Sequence, residues 1–261
     1  MRIRPPAVAG SFYPGDAERL ARTVDELVAV ARPAPPAKVL VAPHAGYVFS
    51  GPIAGAAYRL VLGSAKVRRV LLLGPAHFAH VPGLALPDTD ALETPLGAVP
   101  VDRGAVEALR PLRQVTQDAG AHAREHALEV QLPFLQRTLG AFAVVPLLVG
   151  RSGPAAVAEV LDTLWGGPET LVVISTDLSH YLPYAEAARM DRETADRVLA
   201  LGPPLEPPRA CGAAPLNGLL HAAKARGLTA ELLDLRSSGD TAGPREGVVG
   251  YGAFALREAV A

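Results

Sequence analysis

Two histidines occupy equivalent positions after two short apolar runs. His44 follows the first run in VLVAPHAGY (39–47), and His77 follows the second in VLLLGPAHF (70–78). An apolar run of four or five residues bounded by Gly and Pro is typical of a buried parallel strand. Each histidine alone is better explained as a partly buried loop residue with satisfied hydrogen bonds. Together they favour a metal site, because neutral imidazole is the commonest nitrogen ligand for Zn, Fe and Cu.

Such a metal site needs a third ligand, and the residue types alone leave it undecided among Asp177, His180, Asp240, Glu125 and Cys211. Cys211 precedes a predicted helix, where unpaired backbone N–H groups and the helix dipole favour thiolate over thiol. A thiolate binds divalent metals strongly. An isolated cysteine is also a common small buried hydrophobe.

The motif STDLSHY contains the polar pair Asp177 and His180. In a catalytic interpretation, His180 is a general acid/base beside the metal and Asp177 orients its imidazole. In a structural interpretation, Asp177 caps the following turn through backbone N–H bonds and His180 lies on the surface.

The stretch REHALEVQLPFL (124–135) carries Glu125, His126 and Glu129 at the start of a predicted helix. Carboxylates are electrostatically favourable in a first helical turn, so structure explains both glutamates at least as well as function does. The H-E-x-x-H motif of zinc proteases is not formed, because the second histidine is missing. The sequence also has no G-x-S-x-G elbow, no P-loop and no G-x-G-x-x-G after a strand, which argues against the common hydrolases, NTPases and dinucleotide enzymes.

Helical and extended segments alternate along the chain. The patterns predict helices at 16–31, 52–62, 103–110, 126–139, 154–165, 185–201 and 212–226, and strands at 38–42, 68–73, 83–86, 142–149, 170–175, 229–236 and 247–255. This alternation predicts a single α/β domain over 1–261, with a mostly parallel, doubly wound central sheet and helices on both faces. In such sheets the ligand cleft lies at the carboxyl ends of the strands, where His44, His77, Asp177 and His180 would meet.

Bulk properties restrict the class of protein. The chain has 261 residues, a formal net charge of −1 and no basic stripe, so neither nucleic acid nor an anionic membrane is an expected partner. No apolar run approaches the roughly 18–20 residues of a membrane helix, and the N-terminal segment lacks the apolar region of an export signal. Cys211 is the only cysteine, which excludes an internal disulfide and fits a reducing compartment. We therefore expect a cytoplasmic protein.

Short motifs follow one another along essentially the whole chain: AGSFYP, PHAGYVFSGP, LLLGPAHF, EHALEVQLPFL, STDLSHY, CGAAPLNGLL and SSGD followed by VVGYGAFA. This ordered set resembles the Memo family, whose bacterial and archaeal members are called AmmeMemoRadiSam system protein B. The resemblance implies one α/β domain similar to class III extradiol dioxygenases, which open catechol rings with non-haem Fe(II) and O2.

The resemblance also implies the ligand set His44, His77 and Cys211, with Asp177 and His180 near the acid/base position of the dioxygenases. Exchange of the dioxygenase carboxylate for a thiolate makes the site softer, so Fe(II) is expected first, with Cu or Zn as alternatives. Three positions depart from the family pattern: Ala76 replaces a common serine, Ala213 a larger or basic residue, and Pro244 lies in a stretch that often reads Gly-Asp. We expect the contacts around the ligands to differ there.

Three functions follow from these residues. The leading hypothesis is a metal-dependent, dioxygenase-like oxidoreductase whose pocket is walled by Tyr47 and Phe78 and takes an unknown small molecule or peptide. The alternative is a non-catalytic protein that binds a peptide or small molecule in the same cleft, as eukaryotic relatives linked to motility signalling suggest. The third is zinc-dependent hydrolysis with His180 as the base. Substrate and oligomeric state are left open by the sequence.

Overall fold

A computed structural model describes residues 1–29 and 37–258. The strands are β1 (Ile3–Arg4), β2 (Val39–Ala42), β3 (Arg69–Pro75), β4 (Leu84–Leu86), β5 (Ala91–Thr94), β6 (Gly97–Pro100), β7 (Val115–Gln117), β8 (Ala143–Val149), β9 (Thr170–Ser175), β10 (His180–Leu182), β11 (Thr229–Ser237) and β12 (Val248–Arg257). The helices are α1 (Ala17–Ala29), α2 (Tyr47–Tyr58), α3 (Arg103–Leu109), α4 (Ala119–Ala123), α5 (Leu132–Thr138), α6 (Pro154–Leu164), α7 (Tyr184–Leu199) and α8 (Ala213–Ala225).

The central sheet has the strand order β10-β12-β2-β9-β3-β8-β4-β7, with β11 also paired to β12. Its middle strands, β2, β9, β3 and β8, are mutually parallel. The flanks are antiparallel where β12 pairs with β2 and β4 pairs with β8. A separate small sheet has the order β1-β5-β6. The predicted α/β architecture with a parallel centre is confirmed.

Helices cover both faces of the central sheet because alternate strand residues point to opposite sides. On one face, Leu40 and Leu72 pack with residues of α1, α2 and α5 such as Leu20, Ile53 and Phe134. On the other face, the neighbouring strand residues Val41 and Leu71 pack with α3, α6, α7 and α8, through Ala105, Leu161, Val198 and Leu219 among others. All four residues of β2 are buried, as is typical of a central parallel strand.

Two predicted helices differ from the structure. The helix predicted at 126–139 is reduced to a tight turn at Glu129–Gln131 followed by α5, because the N–H groups of His126 and Ala127 donate to the Glu125 carboxylate instead of entering a helix. The helix predicted from residue 52 begins earlier, at Tyr47, so that Pro52 lies inside it.

The end of the first predicted helix, at 30–31, and the proline-rich turn at 32–36 lie outside the described residues. Within the ranges that the structure does describe, none of the helices has the length and apolar character required to cross a membrane.

Parallel β2, β9 and β3 end at the same edge of the sheet, and the loops that follow carry the chemistry-bearing side chains. Ala42 of β2 is in register with Ser175 of β9, and Leu73 of β3 with Ile174. Gly74 allows β3 to pass close to its neighbours, since a Cβ there would lie 2.9 Å from the Leu128 side chain. The topology therefore places the predicted residues of separate strands together.

Candidate metal centre

His44 lies just beyond the end of β2 and is only 2% exposed. Its backbone N–H donates to Oδ1 of Asp177 at 2.7 Å, and its Nδ1 lies 2.9 Å from Oγ of Ser175. Burial, followed by the neighbouring His77, lowers the pKa of His44 well below its usual value. The imidazole is therefore neutral, which is the state that binds metals.

His77 lies just beyond β3 and is held by the buried carboxylate of Glu125. Oε1 of Glu125 lies 2.9 Å from Nδ1 of His77, and Oε2 accepts the His77 backbone N–H at 2.6 Å. Burial raises the pKa of Glu125, but hydrogen bonds from His77 and from backbone amides outweigh it, so the net pKa is lowered. A carboxylate on one ring nitrogen is the usual second partner of a metal-binding histidine. Glu125, a candidate ligand in the sequence, instead positions His77 and leaves its Nε2 free.

Cys211 lies next to His44, although it belongs to the loop before α8. Its Sγ is 3.2 Å from Nε2 of His44 and accepts the backbone N–H of Asp177 at 3.3 Å. The loop packs closely against Thr176, just after β9: a Cβ at Gly212 would lie only 2.6 Å from the Thr176 side chain, so glycine is required there. The structure therefore brings Cys211 into contact with His44, through elements far apart in the chain.

The protonation state of Cys211 differs from the expectation of a stabilised thiolate. Burial, and then the negative charge of Asp177, raise the pKa of Cys211 to about 12. Without a cation the thiol stays protonated, because these effects exceed the stabilisation from the Asp177 and Gly212 amides. A bound metal would instead make the thiolate the stable form of Cys211, since a coordinating thiol is deprotonated outright.

The His44–Cys211 spacing fits a shared cation. Metal–nitrogen and metal–sulfur bonds of about 2.1 and 2.3 Å place cis or tetrahedral ligand atoms about 3.1–3.6 Å apart. The observed separation of Sγ and Nε2 is 3.2 Å. The donor set of imidazole nitrogen and cysteine sulfur is suited to Zn, Cu and Fe rather than to Mg or Ca.

His126 is a further imidazole in the cluster that the sequence interpretation missed as a ligand. One ring nitrogen from each of His44, His77 and His126 lies within 4.8 Å of the other two. The rings of His77 and His126 are stacked, with centroids 4.8 Å apart and planes at 11°. The sequence pattern predicts a helix that begins at His126, but the turn around Glu125 directs this residue to the site. In the sequence, the only indication that His126 could reach the site is that it directly follows Glu125.

Asp177 and His180 both reach the site, but they are not paired as predicted. The Asp177 carboxylate accepts backbone N–H groups of His44 and Ala45, while burial, the largest effect, raises its pKa to about 7. Nδ1 of His180 instead lies 2.8 Å from the carbonyl oxygen of Leu178. Asp177 thus anchors the loop that carries His44, and the Leu178 carbonyl orients His180.

A cavity of about 650 Å³ opens onto this cluster. Its wall contains the imidazoles of the site at one end and apolar or aromatic side chains elsewhere, including Phe12, Phe49 and Tyr251. Among the described residues that line it, none is lysine or arginine. Tyr47, predicted as a wall, is buried in the core and donates its hydroxyl to the Val130 carbonyl.

A second cavity, of about 430 Å³, adjoins the site on the side where Cys211 is accessible. It shares His77, His180 and Tyr181 with the first cavity and is otherwise walled by residues such as Met190. Phe78, the other predicted wall residue, is 53% exposed and stands beside the ring of His126.

The fold and these donors define an α/β protein with a histidine cluster that could hold a metal, at the carboxyl edge of its sheet. Residues 4–255 match the family described as Memo-like protein. A MEMO1 family protein of Methanopyrus kandleri is 37% identical over 97% of this chain and 99% of its own length. A MEMO1 family protein of Archaeoglobus fulgidus is 35% identical over 98% and 100% of the two chains. This chain belongs to the Memo family.

The fold also occurs in a solved structure of low sequence similarity. An uncharacterised protein from Escherichia coli K12 matches with a TM-score of 0.57 and 17% identity, over 84% of this chain and 98% of that one. At this identity the likeness shows a shared fold alone.

Proposed function

We propose that this chain binds Fe(II), with Cu or Zn as alternatives, through His44, His77 and Cys211, and acts as a dioxygenase-like oxidoreductase on a small molecule. The observation that carries the proposal is the 3.2 Å approach of Cys211 Sγ to His44 Nε2, within a cluster of imidazoles at the wall of a large cavity. His44, His77 and Cys211 lie in three separate loops, which follow β2, follow β3 and precede α8.

The protein's own groups prepare the ligands. Glu125 accepts a hydrogen bond from Nδ1 of His77, which leaves Nε2 of His77 available to a metal. Burial keeps the imidazole of His44 neutral. When bound, Fe(II) with two histidines and a third protein ligand supplies open positions for substrate and O2. Asp177 connects the two loops, because its carboxylate accepts the backbone N–H of His44 and its own backbone N–H donates to Sγ of Cys211.

His180 is the proposed acid/base. Its Nδ1 faces the Leu178 carbonyl, which can only accept, so this nitrogen carries the proton and Nε2 is free to take or return one. Burial lowers the pKa of His180, so the base form is present at neutral pH. The side chain lines the large cavity, within reach of a ligand bound there.

The cavity supports a second candidate, a binding protein without turnover. Its volume of about 650 Å³ lies in the range of small-molecule sites. Phe12, Phe49 and Tyr251 supply walls that do not depend on a metal. A ligand recognised mainly by these walls would bind equally well to metal-free protein.

The test is metal analysis of protein purified without air, for the unchanged chain, His77→Ala and Cys211→Ala. The matched control is His221→Ala, since His221 is exposed on α8. We expect both site variants to lose metal and the control to retain it; unchanged metal in both would reject the ligand assignment. O2 consumption by the Fe(II) protein with catechol as the probe tests oxygenase activity, and probe binding that survives metal removal would favour the binding protein.

A further inference from the structure

Ser175 lies at the end of β9 and contacts the ring nitrogen of His44 that faces away from Cys211. Its hydroxyl makes three hydrogen bonds: to the Ala127 carbonyl at 2.6 Å, to Nε2 of Gln131 at 2.8 Å and to Nδ1 of His44 at 2.9 Å. Ser175 and Gln131 are fully buried and His44 nearly so, so these groups depend on one another rather than on bulk water. Each proton in the network can therefore be placed by counting donors and acceptors.

The orientation of the Gln131 amide is fixed from both ends. Its Nε2 lies 3.0 Å from the Pro43 carbonyl, which can only accept, so this atom is the NH2 group. Its Oε1 accepts the hydroxyl of Tyr58 at 2.7 Å, and Tyr58 is fully buried. Gln131 therefore donates to Ser175 and cannot accept from it there.

The single proton of the Ser175 hydroxyl is then fully assigned. A hydroxyl has one donor and two acceptor sites. The Ala127 carbonyl can only accept, so it receives the proton. One acceptor site is taken by Gln131, and the other is left for His44, which can fill it only by donating from Nδ1.

We propose that Ser175, supported by Gln131 and Tyr58, is a positioning residue that fixes His44 as the Nδ1–H tautomer and so leaves its Nε2 lone pair facing Cys211. In this tautomer the S–H group of Cys211 donates to Nε2 of His44, and the two heavy atoms are 3.2 Å apart. The same lone pair is the one that a cation would take. The link from this tautomer to metal binding rests on the proposed function, whereas the tautomer itself does not.

The opposite tautomer would leave a buried group without its partner. If Nε2 carried the proton, the Ser175 hydroxyl would have to donate to Nδ1, and the Ala127 carbonyl would lose its side-chain donor. A buried polar group left unpaired is unfavourable, and here no competing donor is present among the described hydrogen bonds of that carbonyl. The hydrogen-bond network therefore favours the Nδ1–H tautomer of His44.

The experiment uses metal-free full-length protein with isotope-labelled histidine. Proton–nitrogen correlation spectra distinguish the two imidazole tautomers, and a His44→Gln sample assigns the His44 signals. We expect the Nδ1–H pattern in the unchanged chain and a shift toward the Nε2–H pattern in Ser175→Ala. The matched control is Ser50→Ala, because Ser50 is also buried and donates to a carbonyl, that of Ala45, but its described hydrogen bonds include no imidazole.

Zn²⁺ affinity supplies the second measurement. We expect Ser175→Ala to weaken Zn²⁺ binding about 10- to 100-fold, as is usual when the partner of a ligating histidine is lost, and Ser50→Ala to leave it unchanged. Tyr58→Phe removes only the hydrogen bond that the Tyr58 hydroxyl donates to Gln131, so it should reduce the Zn²⁺ affinity less.

The outcomes separate the two proposals. An Nε2–H pattern for His44 in the unchanged chain overturns the assignment, even if Ser175→Ala fails to fold. An unaltered tautomer in folded Ser175→Ala overturns the role of Ser175. An Nδ1–H pattern that depends on Ser175, in a chain that binds none of Zn²⁺, Fe²⁺ and Cu ions, supports this inference and rejects the proposed metal function.

Discussion

Sγ of Cys211 lies 3.2 Å from Nε2 of His44, although 167 residues separate them in the chain. The contact joins the loop after β2 to the loop before α8, and it does so at the end of the parallel strands. His44 is common to this pair and to the group of imidazoles from His44, His77 and His126, whose ring nitrogens lie within 4.8 Å of one another.

The ligand sets that contain Cys211 and His126 can be told apart. If sulfur binds the metal, Cys211→Ser should weaken binding by more than the roughly 10- to 100-fold caused by loss of a ligand's hydrogen-bond partner. The Co²⁺-substituted chain should then show a thiolate charge-transfer absorption that disappears in Cys211→Ser and persists in His126→Gln. Absence of this absorption from the unchanged chain would assign the site to the three histidines.

Glu125 is expected to control the affinity of the site without touching the metal. Its carboxylate accepts from Nδ1 of His77 and from the N–H groups of His77, His126 and Ala127. Glu125→Gln places an NH2 group against these donors, so Fe²⁺ or Zn²⁺ affinity should fall about 10- to 100-fold. The control is Glu107→Gln, at an exposed position on α3. Equal affinities for both variants would contradict the role.

His180 should separate turnover from metal binding. Loss of a general acid/base typically lowers a rate by about 10²–10⁴-fold. His180→Gln should therefore retain its metal and lose O2 consumption by that order with a substrate that the unchanged chain turns over. Loss of metal from this variant would instead make His180 a ligand.

A buried ion pair between Arg4 and Glu129 fastens the N-terminal segment to the loop behind the site. The Glu129 carboxylate, 1% exposed, accepts from the Arg4 guanidinium, the Tyr13 hydroxyl and the amides of Ala7 and Val8. Removing one partner of a buried pair is destabilising by about 3–5 kcal/mol, so Glu129→Gln should lower the free energy of unfolding in urea by that amount.

The control for this ion pair is Glu18→Gln, because the Glu18 side chain is 86% exposed. Exposed pairs on helices contribute only about 0.3–0.5 kcal/mol, so this change should be small. Similar effects of the two substitutions would show that the Glu129 network does not hold the segment.

Stability at acid pH should depend on His122. Burial, the largest effect, lowers the pKa of His122 to about 4 from a usual value of 6.5, against the opposing carbonyl of Ala85 and the charges of Glu125 and Asp118. The unfolded chain then binds this proton at higher pH than the folded chain, so stability is lost as pH falls from about 6.5 to about 4. The contribution is about 3 kcal/mol when complete.

Urea unfolding at pH 7.5, 5 and 4 tests this. The difference in unfolding free energy between the unchanged chain and His122→Gln should shrink toward acid pH, because the variant lacks this titration. Parallel pH profiles for the two proteins would contradict it.

The parallel centre of the fold was predictable because its strands are almost entirely buried and mostly apolar, with Gly or Pro close to their ends. The strands predicted at 142–149 and 170–175 correspond to β8 and β9 within one residue. The structure brings His44 and His77, which follow β2 and β3, to within 5.2 Å between ring centroids, since parallel strands deliver the following residues to a single edge.

Other features had no local signal. The antiparallel pairing of β12 with β2 aligns Phe254 with Val41, and nothing in either segment specifies a partner so distant in the chain. Likewise, His126 faces the site because the Glu125 carboxylate binds the N–H groups that would otherwise start a helix. The structural interpretation of Asp177 predicted backbone N–H partners in the following turn, whereas the donors are the amides of His44 and Ala45, which are distant in the chain.

The donors of the candidate centre are spread from the second strand to the last helix. A nascent polypeptide that has emerged only through β9 carries both strand-end imidazoles but no sulfur, and β12, which borders β2, is still to be synthesised. If Cys211 is a ligand, as proposed, the complete donor set exists only after synthesis has passed residue 211, whereas His44, His77 and His126 are all present before β9 is made.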